Sequence, residues 1–470
     1  MKTIKETMMR QQGEVAISIA RTLALAIALA ILGIPVVSWA QQVPDAAAGA
    51  HRPTMDSAAN GVPVVNIVAP NARGVSHNKY QRFDVDQRGV ILNNSAGIVR
   101  TQLGGYVAGN DNLKGGEASL ILNEVTSTLP SSLRGYIEVG GKAAPVVIAN
   151  PYGITCDGCG VINSQRFTLT TGTPVFGGSG SLDAFHVTGG SIAIGSGGLD
   201  GSVVDRTDLI ARAVQVNGSL WAKDLNVVSG SNDVNYADAG VRANAADAAR
   251  PAVAIDVAAL GGMYAEKIRL VGTEAGVGVV SSGAIAAQAG DLTLSSAGEV
   301  RIGGTTVALG NASLDATGPV TVEGTFGTQN GNVSLTARGS LAVPGRVIAG
   351  SGLAVNVAGD TDVSGRLSAA GNLAVYAAQE LRNTGLIYSD GSFDLRAGNL
   401  RNAGTLYGLG GGNVAAAGLL ETTAASTLHA GNGLALDAGT VNSSGIVDAG
   451  GALALSSRGD ASLQGAVQGG

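Results

Sequence analysis

From residue 287 onward the apolar positions of the chain return at nearly constant intervals. Leu292, Leu314, Val333, Leu353, Leu373, Phe393, Val414, Leu434 and Leu453 each sit in a short stretch of alternating apolar and polar residues, and successive members are 22, 19, 20, 20, 20, 21, 20 and 19 residues apart. Alternation with a period of two is the mark of a strand with one face turned inward. Most of these residues follow a Gly or Asn by one or two positions, as in Gly352-Leu353 and Gly371-Asn372-Leu373, so turns punctuate the strands. A repeat of about 20 residues with no helical period is what one coil of a right-handed parallel β-helix needs: three short strands and three turns, each coil covering the inward residues of the next. If residues 60–470 are all built this way, roughly 20 coils stack into a rod on the order of 100 Å long. A leucine-rich horseshoe would show an L-x-x-L-x-L run with a following Asn in every repeat, and a β-propeller a period near 40; neither pattern is present.

Before residue 287 the pattern is still strand and turn, with irregular spacing. Residues 64–68, 80–85 and 90–92 read as strands, and residues 104–116 as a Gly- and Asn-rich loop. In residues 119–126 Leu120 and Leu122 alternate with Ile121, so both faces of that strand are expected to be buried. Residues 133–139, 144–149 and 165–171 follow as further strands. Residues 208–217 have a short helical look, but Val214-Gln215-Val216-Asn217 alternates and favours a strand. At residues 150–160, Asn-Pro opens a turn, Gly153 permits a tight bend, and an Asp-Gly turn lies between Cys156 and Cys159.

Composition narrows the picture. Charged residues make up 14% of the chain and aromatics 4%, while 72 of the 470 residues are Gly; the core must therefore be built from small and aliphatic side chains. Residues 1–40 read as an export signal with a long basic n-region, an apolar run at 22–37 and small residues around Ala40. Removing this segment takes the formal net charge from −6 to about −8, a mild acidity that argues against nucleic acid as a partner. Residues 41–63, rich in Ala, Pro and polar residues, read as a flexible mature N-terminus.

Candidate chemistry is sparse. His51, His77, His186 and His429 are scattered without ligand spacing, and no zinc, Walker or nucleophile-elbow motif is present. Asp84/Asp86 and Asp360/Asp362 lack the surroundings of a calcium site and read as turn residues. No catalytic residue, metal site or cofactor is expected. Cys156 and Cys159, the only two cysteines, cannot form a four-thiolate zinc site within one chain. Their strand-and-turn flanks do not suit a thioredoxin-like site, which wants a helix start. In an exported protein they are expected to close a small disulfide loop. Arg458-Gly459-Asp460 spells an integrin-binding tripeptide, which chance in a turn also explains.

The segment Asn150-Pro151-Tyr152-Gly153-Ile154, with the cysteine pair after it, resembles the N-P-N-G-I motif of the two-partner secretion domain. That domain opens filamentous haemagglutinins, secreted haemolysins and contact-dependent growth inhibition proteins. Segments 74–80, 92–95, 102–105, 121–126, 133–139 and 208–228 agree with it, over about residues 64–300. The resemblance implies a β-helix with an N-terminal β-cap and small extra-helical strands, a secretion domain at 64–300 and haemagglutinin-like repeats at 301–470. These repeats stop partway through a coil, as the front piece of a longer protein or a truncated reading frame would. It also implies export through the periplasm of a Gram-negative bacterium to the cell surface by a partner outer-membrane β-barrel transporter. Transporter recognition would fall on Asn150, Pro151, Gly153 and Ile154 and, for the family's N-P-N-L motif, on Asn110, Asn112 and Leu113. Tyr152 and Asp111 depart from the two patterns. The functions that follow are a non-enzymatic adhesin whose host-cell or bacterial receptor is unnamed, the delivery stem of a toxin, or a haemolysin. A β-helical polysaccharide enzyme is a fold-level analogy without a clustered set of charged residues to carry it.

Overall fold

The computed structural model describes residues 41–244 and 250–470; the expected export signal at 1–40 lies outside them. The described residues from 42 onward form a parallel β-solenoid of about sixteen turns. Three parallel ladders run along it. One passes from Val90–Asn94 through Tyr136–Gly141 and Cys159–Ile162 to Val467–Gly469. The second passes from Val75–Phe83 through Leu120–Val125 and Val146–Ala149 to Leu453–Ser457. The third passes from Ser131–Leu133 through Ile154–Cys156 and Ser191–Ile194 to Ala461–Leu463.

Sixteen turns at about 4.8 Å make a stack of roughly 75 Å, shorter than the twenty coils expected from a uniform period. The difference lies in the first half, where some turns are double length. Val90 pairs with Ile137, 47 residues on; Cys159 with Leu199, 40 on; and Leu220 with Met263, 43 on. The extra residues leave the solenoid. Val99–Thr101 and Gly105–Val107 form a hairpin. Thr173–Phe176, Leu182–Val187, Asn232–Asn235 and Val241–Ala243 form a four-stranded antiparallel sheet. That sheet lies on the outer face of the second ladder, so Phe185, Val187 and Val234 pack with Leu122, Val147 and Ile210. The strand Leu120–Val125 is thereby buried on both faces as its sequence suggests: Ile121 enters the main core and Leu122 the second one.

Residues 41–63 are folded, against the expectation of a flexible terminus. Gln42–Pro44 pairs antiparallel with Val75–Phe83, and Thr54–Ser57 with Pro63–Asn66. Ala58 and Val62 are buried with Val64, Ile91 and Val107, and the Asp45 side chain accepts hydrogen bonds from the Ala47 N–H and the Thr126 hydroxyl. A segment of small and polar residues carries little apolar signal of its own, yet here it covers the first coil and an edge that would otherwise stand open.

In the shaft from residue 292 the rungs match in register, with one correction. Leu292 stacks on Ala312, and Leu314 on Leu294; likewise Phe393 stacks on Gly412, and Val414 on Leu395. The periodic series read from sequence therefore steps between two adjacent inward columns at Leu314 and Val414. Residues i and i+2 of a strand share a face, and the small Ala312 and Gly412 hide the true mark. Gly412 has a packing reason: a Cβ there would collide with the Phe393 ring, which also covers Gly408.

Candidate recognition turns

Asn150 ends the strand Val146–Ala149, and its fully buried side chain acts as a turn clamp. Its amide nitrogen donates to the Leu129 carbonyl at 2.9 Å and to the Ser131 hydroxyl at 3.0 Å, while its oxygen accepts from the Tyr152 N–H at 3.0 Å. The Gly153 N–H closes the turn on the Asn150 carbonyl at 3.1 Å. Pro151 presets φ for its turn position. Gly153 has φ +118°, a region side-chain-bearing residues avoid. Ile154 then enters the core between Ser131 and Ile192. Tyr152, the residue that departs from the motif, projects into solvent with 55% of its surface exposed.

The second turn repeats the device. Asn110, buried, donates to the Ile67 carbonyl at 2.9 Å and the Asn93 carbonyl at 3.0 Å, and accepts from the Asn112 N–H at 3.0 Å. Asp111–Leu113 is a single 3-10 turn; Leu113 drops into the main core and Asp111 faces solvent. The Asn112 amide reaches the Ile67 carbonyl at 3.1 Å. No hydrogen bond joins the two turns among the described residues; each locks its own pair of rungs.

Cys156 and Cys159 are joined by a disulfide across the Asp157-Gly158 turn, and both face the core. The turn is held between rungs: the Asp157 N–H donates to the Leu133 carbonyl, the Gly158 N–H to the Gly198 carbonyl, and the Asp157 carboxylate accepts from the Gly197 N–H. One rung from Asn150, the Asp84 carboxylate accepts from the Ser132 N–H at 2.8 Å. Burial pushes its pKa above the ordinary value, against this hydrogen bond and the charges of Arg82 and Arg134.

The Arg458-Gly459-Asp460 tripeptide forms the turn between Leu453–Ser457 and Ala461–Leu463. Its Gly459 N–H donates to the Gly439 carbonyl, and the Arg458 guanidinium bends back along the stack to the Ala416 carbonyl at 3.4 Å. Among the described residues no three His, Cys, Asp or Glu side chains gather as a metal site would need.

Sequence reading passed over a network of buried asparagines around the two turns. Asn78 holds the Val68 N–H, Asn94 the Ala118 backbone, and Asn123 the Tyr80 hydroxyl. Glu138, also buried, accepts from the Gln102 and Leu103 N–H groups and ties the extra-helical hairpin to the solenoid. The available signal was a polar residue inside an apolar strand, as in Val90-Ile91-Leu92-Asn93-Asn94; such a residue must find partners when buried.

The profile of the TPS secretion domain matches residues 40–302, which takes in the N-terminal cap and ends with the strand Val300–Ile302, where the rungs have become regular. The crystal structure of the filamentous hemagglutinin secretion domain is 34% identical in sequence and superposes with a TM-score of 0.56, covering 68% of this chain and all of that one. Among curated proteins, toxin CdiA of Yersinia pestis is 56% identical over 253 residues, 54% of this chain and 8% of its own length. The 16S rRNA endonuclease CdiA of Enterobacter cloacae is 49% identical over 311 residues, 62% of this chain and 9% of its own. The chain thus spans about a tenth of the length of the curated relatives it matches.

Proposed function

The chain belongs to the family of TPS secretion domains, and from that premise we propose that it is the secretion-competent front of a contact-dependent toxin-delivery protein. A partner outer-membrane transporter would take it from the periplasm to the cell surface. The match of the whole hemagglutinin secretion domain to this chain is the observation that carries the export reading. The toxin names of the similar CdiA proteins favour a delivery stem over the free adhesin that the sequence alone put first. An adhesin stays as the second reading, favoured by the hemagglutinin origin of the matching structure. The part described here needs no enzymatic role in either case.

The fold suits the route. Small, weakly charged side chains pass a pore readily, and coil-by-coil contacts let folding advance from the emerging end and bias motion outward. In the folded state Asn110 and Asn150 are buried and their amides are spent on backbone carbonyls and the Ser131 hydroxyl. A transporter that reads these asparagines would therefore meet them before the turns close.

Co-production with the transporter in a Gram-negative host, with the chain measured in the medium, tests this. Asn110→Ala and Asn150→Ala are expected to lower export at least tenfold. Glu274→Ala, which is destabilised at least as much and leaves the bonds of both turns intact, is expected to be exported. Equal loss in all three would reduce the asparagines to folding residues, and undiminished export of the two turn variants would end the recognition reading.

A further inference from the structure

One outward column of the first ladder is unlike the rest of the surface. Aromatics are scarce in this chain, yet this column carries two sets of stacked rings. Trp221, 44% exposed and the sole tryptophan of the described residues, stacks on Tyr264 at 4.6 Å. Farther along, Tyr388 stacks on Tyr407 at 5.9 Å and Tyr407 on His429 at 4.5 Å. Between the two sets the same register position is filled by Ala286, Val307, Gly327, Ile348 and, beside Tyr388, the buried Ser368. The first four floor a cleft of about 490 Å³, with Gln288 and Gln329 among its walls.

A second row runs beside the column, two residues earlier on each strand. There Thr305 pairs with Thr325, Thr325 with Arg346, and Arg346 with Arg366. Arg346 and Arg366 are exposed, stacked on successive rungs, and in ion pairs with no carboxylate among the described residues. Glu323, two residues before Thr325, is already engaged by Arg301 at 2.5 Å. Like charges directly opposite in a sheet are destabilising, and they stand here in a chain of formal net charge −6. Arg366 also lies 5.9 Å from the centre of the Tyr388 ring, its cationic plane continuing the aromatic row.

We infer that this face binds an extended acidic polysaccharide along the solenoid axis. The exposed Trp221 and the half-buried Tyr388 meet sugars at either end with the ring surface that their stacked neighbours leave open. The cleft takes the rings between them, its glutamines pairing with hydroxyls, and Arg346 and Arg366 hold uronate carboxylates by charge-assisted hydrogen bonds. The rung spacing suits a linear chain of pyranose units, one residue advancing about one coil. The site is independent of the secretion reading, because it lies largely on the shaft and uses neither asparagine turn.

Titration calorimetry of the exported chain with an oligogalacturonate tests the inference, with the methyl-esterified oligomer as a neutral control of the same shape. The acid form is expected to bind, and to weaken steeply as salt rises. The methyl ester is expected to bind at least tenfold more weakly. Arg346→Ala/Arg366→Ala is expected to lose at least tenfold in affinity for the acid, and Tyr388→Ala several-fold, each variant keeping a cooperative melting transition. Equal binding of acid and ester, undiminished binding by the double arginine variant, or no binding of the acid by the wild-type chain would each overturn it. So would sedimentation showing that the face is covered by a second copy of the chain.

Discussion

The two halves of the solenoid reach the same cross-section by different means. In the shaft beyond residue 291 a strand meets its neighbour 19 to 22 residues away, as Phe393 meets Gly412 and Gly412 meets Leu434. In the front half the partners of one ladder lie up to 47 residues apart, and the intervening chain builds a hairpin and a small sheet on the outside. The front half is held by buried polar groups that reach across those separations: Asn110 to Ile67, Asn94 to Ala118, Arg212 to Glu274. The shaft repeats short bonds from one rung to the next, exposed where Asn311 caps the Asn332 N–H and Asn332 caps the Gly352 N–H, and buried where Asn383 donates to Asn402. Regular spacing gives a stack that any matching rung can extend. Irregular spacing with buried, specific partners gives a start with one register, and the front half is where a chain emerging from a pore needs its register set.

The sharpest way to break this contrast is a buried ion pair in the front half, between residues 62 apart in sequence. The Arg212 and Glu274 side chains are 5% and 6% exposed, and their groups are 2.8 Å apart. Removing one partner strands a buried charge, so Glu274→Ala should cost about 3–5 kcal/mol in chemical denaturation. The double change Arg212→Met/Glu274→Leu should restore much of that. In the shaft, Arg301 and Glu323 make the same kind of pair in solvent, and Glu323→Ala should cost less than about 1 kcal/mol. Comparable losses at the two sites would erase the distinction between the halves.

A smaller effect is expected at the disulfide. The Cys156–Cys159 loop spans three residues in sequence, and closing so short a loop removes at most about 2 kcal/mol of chain entropy. Cys156→Ala/Cys159→Ala should therefore lower the denaturation midpoint modestly and keep a cooperative transition. Loss of the transition would mean that the bond, rather than the surrounding rungs, holds the corner.

How much of this was legible in the sequence follows the same division. The shaft was plain, because each rung writes the same apolar marks at the same distance. Its one slip, at Leu314 and Val414, came where Ala312 and Gly412 leave the inward position nearly blank. In the front half the strands were readable one by one, but their partners were not. Nothing local in Leu182–Val187 says that it pairs with Asn232–Asn235, about fifty residues later. The asparagines at 110 and 150 were found through resemblance, as recognition residues. Their structural work was hidden because a turn asparagine looks the same whether its amide meets water or a buried carbonyl. The folded cap at 42–57 was missed for a related reason: it is held by backbone pairing and by groups such as Asp45, which apolar periodicity does not record.

The smallest predicted effect is also the one that bears on how the shaft persists. Asn332 stands in the exposed series, its oxygen accepting the Gly352 N–H at 2.9 Å and its own N–H donating to Asn311 at 3.0 Å. Replacing it with Ala removes the first bond, and water can take the freed N–H, so Asn332→Ala should cost about 0.5–1 kcal/mol in denaturant melts. Asn150→Ala makes the same chemical change where the Leu129 carbonyl and the Ser131 hydroxyl are packed away from solvent, and should cost about two to three times as much. If the ladder were cooperative along its length, Asn311→Ala/Asn332→Ala would exceed the sum of the two single losses. Simple additivity would show instead that each rung is held by its own neighbours, and that the shaft tolerates the loss of one weak bond because the next coil makes another.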